Sequence, residues 1–173
     1  MQTIDLLREQ FREAHAFLEA TIDGLPRASL HYSPEGNALP ISGHYGHVVI
    51  GEDALLSLFL TGSPPLFASS WSGKTGYSAM PPEGGPWDDW ARNLNVDLRA
   101  ARLYAAAVYN HTDRLLESLS DETLARPLDM SPVGGGQRSV GYLFSLLLGN
   151  VYLHCGEISC VKGLQGLRGY PDN

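Results

Sequence analysis

The chain has 173 residues, with 12 Lys+Arg against 19 Asp+Glu, a net charge of −7, 43% hydrophobic residues, 19 Gly and 11 Pro. That length suits one domain, taken as 1–173, and the apolar share supports a real core, which excludes wholesale disorder. The acidic balance, with no dense Lys/Arg run, argues against nucleic acid or an anionic membrane surface as partner.

Cys155 and Cys160 lie five apart in one apolar segment. On a helix they point about 140° apart and cannot pair, so they read as free thiols of a reducing compartment. The N-terminal MQTIDLLREQFREAH is charged throughout and lacks the apolar core of a signal peptide. The longest apolar stretch, Tyr142 to Leu148, falls short of the roughly 20 residues of a membrane span. A cytoplasmic protein without a membrane partner is expected.

In chain order, Ile4, Leu7, Phe11, Ala14, Leu18 and Ile22 recur at steps of three and four, one face of an amphipathic helix that Gly24 and Pro26 stop. Residues 26–37 read as loop. Asn37 is placed to cap a second helix with Pro40 in its first turn, carrying His44, His47, Val48, Gly51, Leu55 and Leu58 and ending at Gly62. Residues 63–86 are rich in Gly, Pro, Ser and aromatics. They read either as a surface insertion pinned by Phe67, Trp71 and Tyr77 or as a lid. A third helix is expected to run unbroken from Trp87-Asp88-Asp89 to Leu119, followed by a short turn over Ser120 to Leu124. Residues 127–138 read as loop, loosened by Gly134, Gly135 and Gly136. Ser139 caps a last helix carrying Val140, Leu143, Leu147, Asn150, His154, Ile158 and Val161. With no alternating strand pattern, four such segments predict an all-α four-helix bundle. Its first two connections, about 14 and about 24 residues, are long enough for a crossover topology.

Polar residues on an apolar stripe are the informative exceptions. His44 and His47 sit one turn apart on the second helix; Asn150, His154 and Glu157, spaced by four and three, project from one face of the last. Histidines on facing helices with a carboxylate nearby suit a divalent metal such as Zn, Ni, Fe or Mn, although either His could instead be a satisfied packing residue. Cys155 reads as a buried inert thiol or as a reactive neighbour of that site. His111 reads as a boundary residue, and His15 and His31 as surface or loop. Gly134–Gly136 lacks the companions of a phosphate loop, and no Ser/His/Asp set or carboxylate pair stands out.

The string Val140-Gly-Tyr-Leu-Phe-Ser-Leu-Leu-Leu-Gly-Asn150-Val-Tyr-Leu-His154-Cys-Gly156-Glu157-Ile158, with Gly163-Leu-Gln-Gly166-Leu-Arg-Gly-Tyr-Pro171 after it, resembles the final helix of the DinB-like superfamily. That helix typically shows a His, three residues, then His-Arg-Gly-Gln-Ile and a Gly-x-Pro ending. Gly46-His47-Val-Val-Ile-Gly-Glu52 resembles the family's first metal-His segment, and Leu119-Ser-Asp-Glu-Thr-Leu124 its close of the third helix. The resemblance covers nearly the whole chain apart from residues 63–86. It implies a His triad holding a divalent metal in an open site, used in some members for thiol-dependent transferase or isomerase chemistry, and a homodimer.

By position, His47 and His154 match two of the family ligands, but the third falls on Asn150, an amide that is a poorer ligand than imidazole. Glu157 could complete the sphere, His44 could turn inward, Asn150 itself could ligate, or the site could have lost its metal. Two functional readings follow. One is a small metalloenzyme of thiol-transferase or hydrolase type acting on a small molecule or a low-molecular-weight thiol, with the Trp71/Tyr77 loop closing over the substrate. The other is a non-catalytic bundle that keeps the scaffold as a ligand-binding or structural module.

Overall fold

The structure, a computed structural model, describes residues 2–82 and 86–171. The end of the 63–86 insertion at residues 83–85 lies outside the described residues. Four long helices form the bundle: α1 (Thr3–Thr21), α3 (Ile41–Leu56), α5 (Leu98–Ser118) and α7 (Val140–Leu164). Short helices α2 (Arg27–Leu30), α4 (Asp88–Asn93) and α6 (Asp121–Leu124) and the hairpin of β1 (Pro127–Asp129) and β2 (Gln137–Ser139) join them.

α1 packs on α7 and α5, and α3 packs on α7 and α5, so the ring order is α1–α7–α3–α5. Consecutive long helices α1 and α3 therefore lie diagonally across the bundle, as do α5 and α7. This is the crossover that the long first connection permits, and it lets side chains of α1 and α3 meet on the bundle axis. The stripe Ile4, Phe11, Ala14, Leu18 and Ile22 is buried as its period requires. α6 earns its place by capping α1: the Asp121 carboxylate accepts from the Thr3 and Ile4 amides at 3.1 and 3.0 Å. Ser139 caps α7 by accepting from the Tyr142 amide at 3.1 Å.

Four expectations need correction. Asn37 does not cap α3; Pro40 occupies that position in extended backbone, and part of the expected loop before it is α2. The third helix is broken. Leu94 turns to extended backbone, Val96 pairs with Tyr77 across a bridge, and Asp97 restarts the helix as α5 by accepting from the Arg99 and Ala100 amides. Asn93, Asn95 and Asp97 are residues whose side chains compete with helical hydrogen bonds, which is why apolar period alone missed the break. The 127–138 loop contains a hairpin, with Leu128 opposite Arg138. Finally, α7 is by length and composition apolar enough to cross a membrane; here it packs against α1 and α3 instead.

α4 lies on α3 because Gly43 has no side chain. A β-carbon there would come within 2.7 Å of the Ala91 β-carbon and 3.1 Å of its carbonyl. Gly43→Ala is expected to displace α4 and lower stability by about 1–3 kcal/mol, read as a fall in Tm.

Candidate metal centre

His44 sits one turn into α3, where that helix is buried on most faces, and His154 and Glu157 sit one turn apart on α7. The α3–α7 contact brings them together. His44 Nδ1 lies 3.1 Å from His154 Nδ1 and 3.1 Å from Glu157 Oε2, and His154 Nδ1 meets the same carboxylate oxygen. One ligand atom from each of the three lies within 4.8 Å of the others. A proton can bridge only one pair of these atoms at a time. A shared cation satisfies all three, and the edge of a ligand polyhedron is about 3.0 Å for octahedral and about 3.4 Å for tetrahedral coordination at a metal–nitrogen distance of about 2.1 Å. Two imidazoles and a carboxylate thus fit a divalent transition metal in chemistry, and the two 3.1 Å spacings from His44 match a polyhedron edge.

His47, one turn further along α3, places its ring 4.7 Å from that of His154 and edge-on to Trp87 at 4.9 Å. The three imidazoles face a cavity of about 580 Å³ that is also walled by Leu39, Trp87 and Val133. Glu157 is the exposed member of the cluster, with 53% of its side chain exposed against 7% for His44. The site is therefore reachable by water and by a small molecule.

Burial lowers the pKa of all three imidazoles. For His47 the cost of burying charge, reinforced by His154, brings it to about 4. For His44 and His154 burial is again the largest cause, partly opposed by the Glu157 carboxylate. The rings are neutral at neutral pH, with lone pairs free for a metal. A hydrogen bond between His44 and the Leu39 backbone holds that ring in place. Because an unfolded histidine titrates near about 6.5, the unfolded chain takes up these protons first as pH falls. Stability conferred by the neutral rings is complete above about 6.5 and declines as pH drops toward 4. The Tm of metal-free protein is expected to fall over that window, and His47→Gln to flatten the slope.

Deeper in the bundle, a second set of polar groups fixes α3. His15 is buried, not at the surface as its sequence context suggests. Its Nε2 lies 2.9 Å from Glu52 Oε2, and its ring stacks on Tyr109 at 3.8 Å. Glu52 also accepts from the Thr112 hydroxyl. Next to it Asp53, fully buried, accepts from the Leu66 amide at 2.9 Å, the Phe67 amide at 3.0 Å and the Tyr104 hydroxyl at 2.7 Å. These bonds anchor both α3 and the start of the insertion. None was legible as a site, because His15 and Glu52 meet only through the diagonal placement of α1 and α3.

The sequence pattern of the DinB superfamily matches residues 10–158. The chain belongs to the DinB superfamily. Its fold is similar to that of the conserved protein of a locus from Enterococcus faecalis, with a TM-score of 0.79 at 20% identity over 95% of this chain and 97% of that one. It is also similar to YfiT from Bacillus subtilis, described as a probable metal-dependent hydrolase with an unusual four-helix bundle topology. There the TM-score is 0.68 at 12% identity, over 95% of this chain and 88% of the other. No curated protein sequence matches the chain.

Within this DinB-superfamily bundle the residues singled out in the sequence separate. His154 and Glu157 join His44 in the cluster, and His47 lines the cavity beside them. Asn150, half-buried one turn before His154, is not among the residues that line the cavity. Cys155 is turned away into the core, where it hydrogen-bonds Thr21 and burial raises its pKa to about 11, so it is an inert thiol rather than a neighbour of the site. Trp71 and Tyr77 do not cover the histidines. Both rings pack on Tyr104, at 5.9 and 6.2 Å, pinning the insertion to the core. Trp87, at the far end of the insertion, is the aromatic that reaches the cavity. Its sequence signal, an aromatic before two aspartates, reads only as a helix start.

Proposed function

We propose that this DinB-superfamily protein is a metalloenzyme in which His44, His154 and Glu157 hold a divalent metal, with His47 facing the same cavity. The convergence of three neutral or anionic donors on one point carries this reading. A divalent metal there supplies Lewis-acid activation of a water or a thiol at neutral pH. The protein's own share is to keep the imidazoles unprotonated by burial, to present Glu157 from the open side, and to wall the cavity with Trp87 and Val133. This suits hydrolysis of a small molecule, or transfer to a low-molecular-weight thiol. The outer edge of α7 leaves Tyr142, Leu146, Leu153 and Leu164 exposed along one line, which supports a homodimer built on that helix. Light scattering should then give about twice the 18.8 kDa chain mass.

Titration of metal-free protein with Zn, Ni and Mn tests the central part. One ion per chain at micromolar affinity or tighter is expected for at least one of them. No binding at micromolar metal would instead favour the non-catalytic bundle, in which Asn150 marks a site that has decayed.

A further inference from the structure

A second cavity, of about 450 Å³, is lined in part by Arg27, Ser42, Arg92 and Asn95. Its charge is opposite to that of the chain as a whole. Two arginines line it and, among the described residues, no carboxylate does, within a protein of net charge −7. Both arginines are held in place while keeping donors to spare: Arg27 Nη2 bonds Asn95 Oδ1 at 2.7 Å, and Arg92 Nη1 bonds the Ala38 carbonyl at 3.1 Å. His31 steadies the same wall. Its Nε2 accepts from the Val96 amide at 3.0 Å, and its Nδ1 donates to the Arg27 carbonyl at 2.9 Å.

Two further features point to a ligand. α3 opens at this cavity, and no side chain caps its first turn, so its positive end is not offset by a capping group, although the Gly43 and His44 amides already donate to the Pro40 carbonyl. Ser42, in that turn, is 1% exposed and its hydroxyl has no partner among the described residues. A buried hydroxyl without a partner is costly, and a ligand that accepts from it removes the cost. Elsewhere on the surface, the cavity lined by Arg102 and Lys162 lacks this character, because Asp23 lines it and already pairs with Arg102 at 2.7 Å.

We propose that this cavity binds the dianionic phosphate group of a small molecule, gripped by the forks of Arg27 and Arg92 and by the first turn of α3 with the Ser42 hydroxyl. Guanidinium forks and a helix N-terminus both match the oxygens of a phosphate, and two positive charges match a dianion. The site is separate from the metal centre: the two cavities share no lining residue.

The test is calorimetric titration of metal-free protein with inorganic phosphate at low ionic strength, with acetate as the comparison anion. One phosphate per chain at millimolar affinity or tighter is expected, with acetate weaker. Arg92→Gln and Arg27→Gln should each weaken phosphate by about tenfold. Ser42→Ala should weaken it several-fold without lowering the Tm of the free protein, since that hydroxyl is unpartnered there. Arg92→Lys, which keeps the charge but loses the fork, should fall in between and guards against a folding defect in the Gln variant. His154→Ala should bind phosphate normally even if it binds no metal, so failure of one site does not imply failure of the other. Absence of saturation by about 10 mM phosphate, affinity undiminished in both Gln variants, or acetate binding as tightly as phosphate would each overturn the assignment.

Discussion

His154→Ala is expected to weaken divalent-metal affinity by roughly a hundredfold or more, the largest effect of any single change at the site. His154 Nδ1, like His44 Nδ1, meets both other members of the cluster, and its ring in addition lies against His47. Its removal takes a donor from the cluster and the brace from two others. Glu157→Gln, which keeps the shape and loses the charge, should cost less than His154→Ala. Asn150→His should change affinity little, because residue 150 does not line the cavity that His44, His47 and His154 face. Tight binding that appears only in Asn150→His would mean that the inherited ligand position is the one that matters. Competition with a chromophoric chelator measures all three variants on one scale.

The second large effect is on stability. Asp53→Ala should lower stability by at least about 3 kcal/mol, equivalent to a fall in Tm of roughly 6–12 °C for a domain of this size. The Asp53 carboxylate is the acceptor for two amides of the insertion and for the Tyr104 hydroxyl, all in the core. With alanine, three donors lose their partner at once, and Trp71 and Tyr77 lose the segment that holds them on Tyr104. Asp53→Asn retains acceptor capacity and should be milder. A Tm change under about 2 °C for Asp53→Ala would show that the insertion is held by its aromatic packing alone. The effect should be independent of metal, which separates it from the histidine variants.

How far the sequence reaches can be seen element by element. α1, α5 and α7 are legible because their burial repeats every three or four residues, whereas α3 is buried on most faces and is marked by its bounds, and the Ser139 cap and the Gly62 stop are legible from local chemistry. The break at Leu94 was hidden because Trp90, Leu94 and Leu98 keep helical spacing across it, while the bridge between Tyr77 and Val96 is a contact between distant segments. The hairpin after α6 was hidden because β1 and β2 are too short to show alternation. At the site, spacing put His44 and His47 on one face of α3 and His154 and Glu157 on one face of α7, and those faces meet. It could not say which of two histidines one turn apart would point its nitrogen at Glu157, since that depends on the roll of α3 against α7. Nor could it recruit Trp87, which reaches the cavity only because Gly43 lets α4 lie close to α3.

X-ray absorption of the metal-loaded protein tests the account most directly. Two imidazole nitrogens and a carboxylate oxygen at about 2.0–2.2 Å from the metal are predicted, with the imidazole scattering reduced in both His44→Ala and His154→Ala. A loaded metal whose surroundings contain no imidazole, or a spectrum unchanged in both variants, would contradict it.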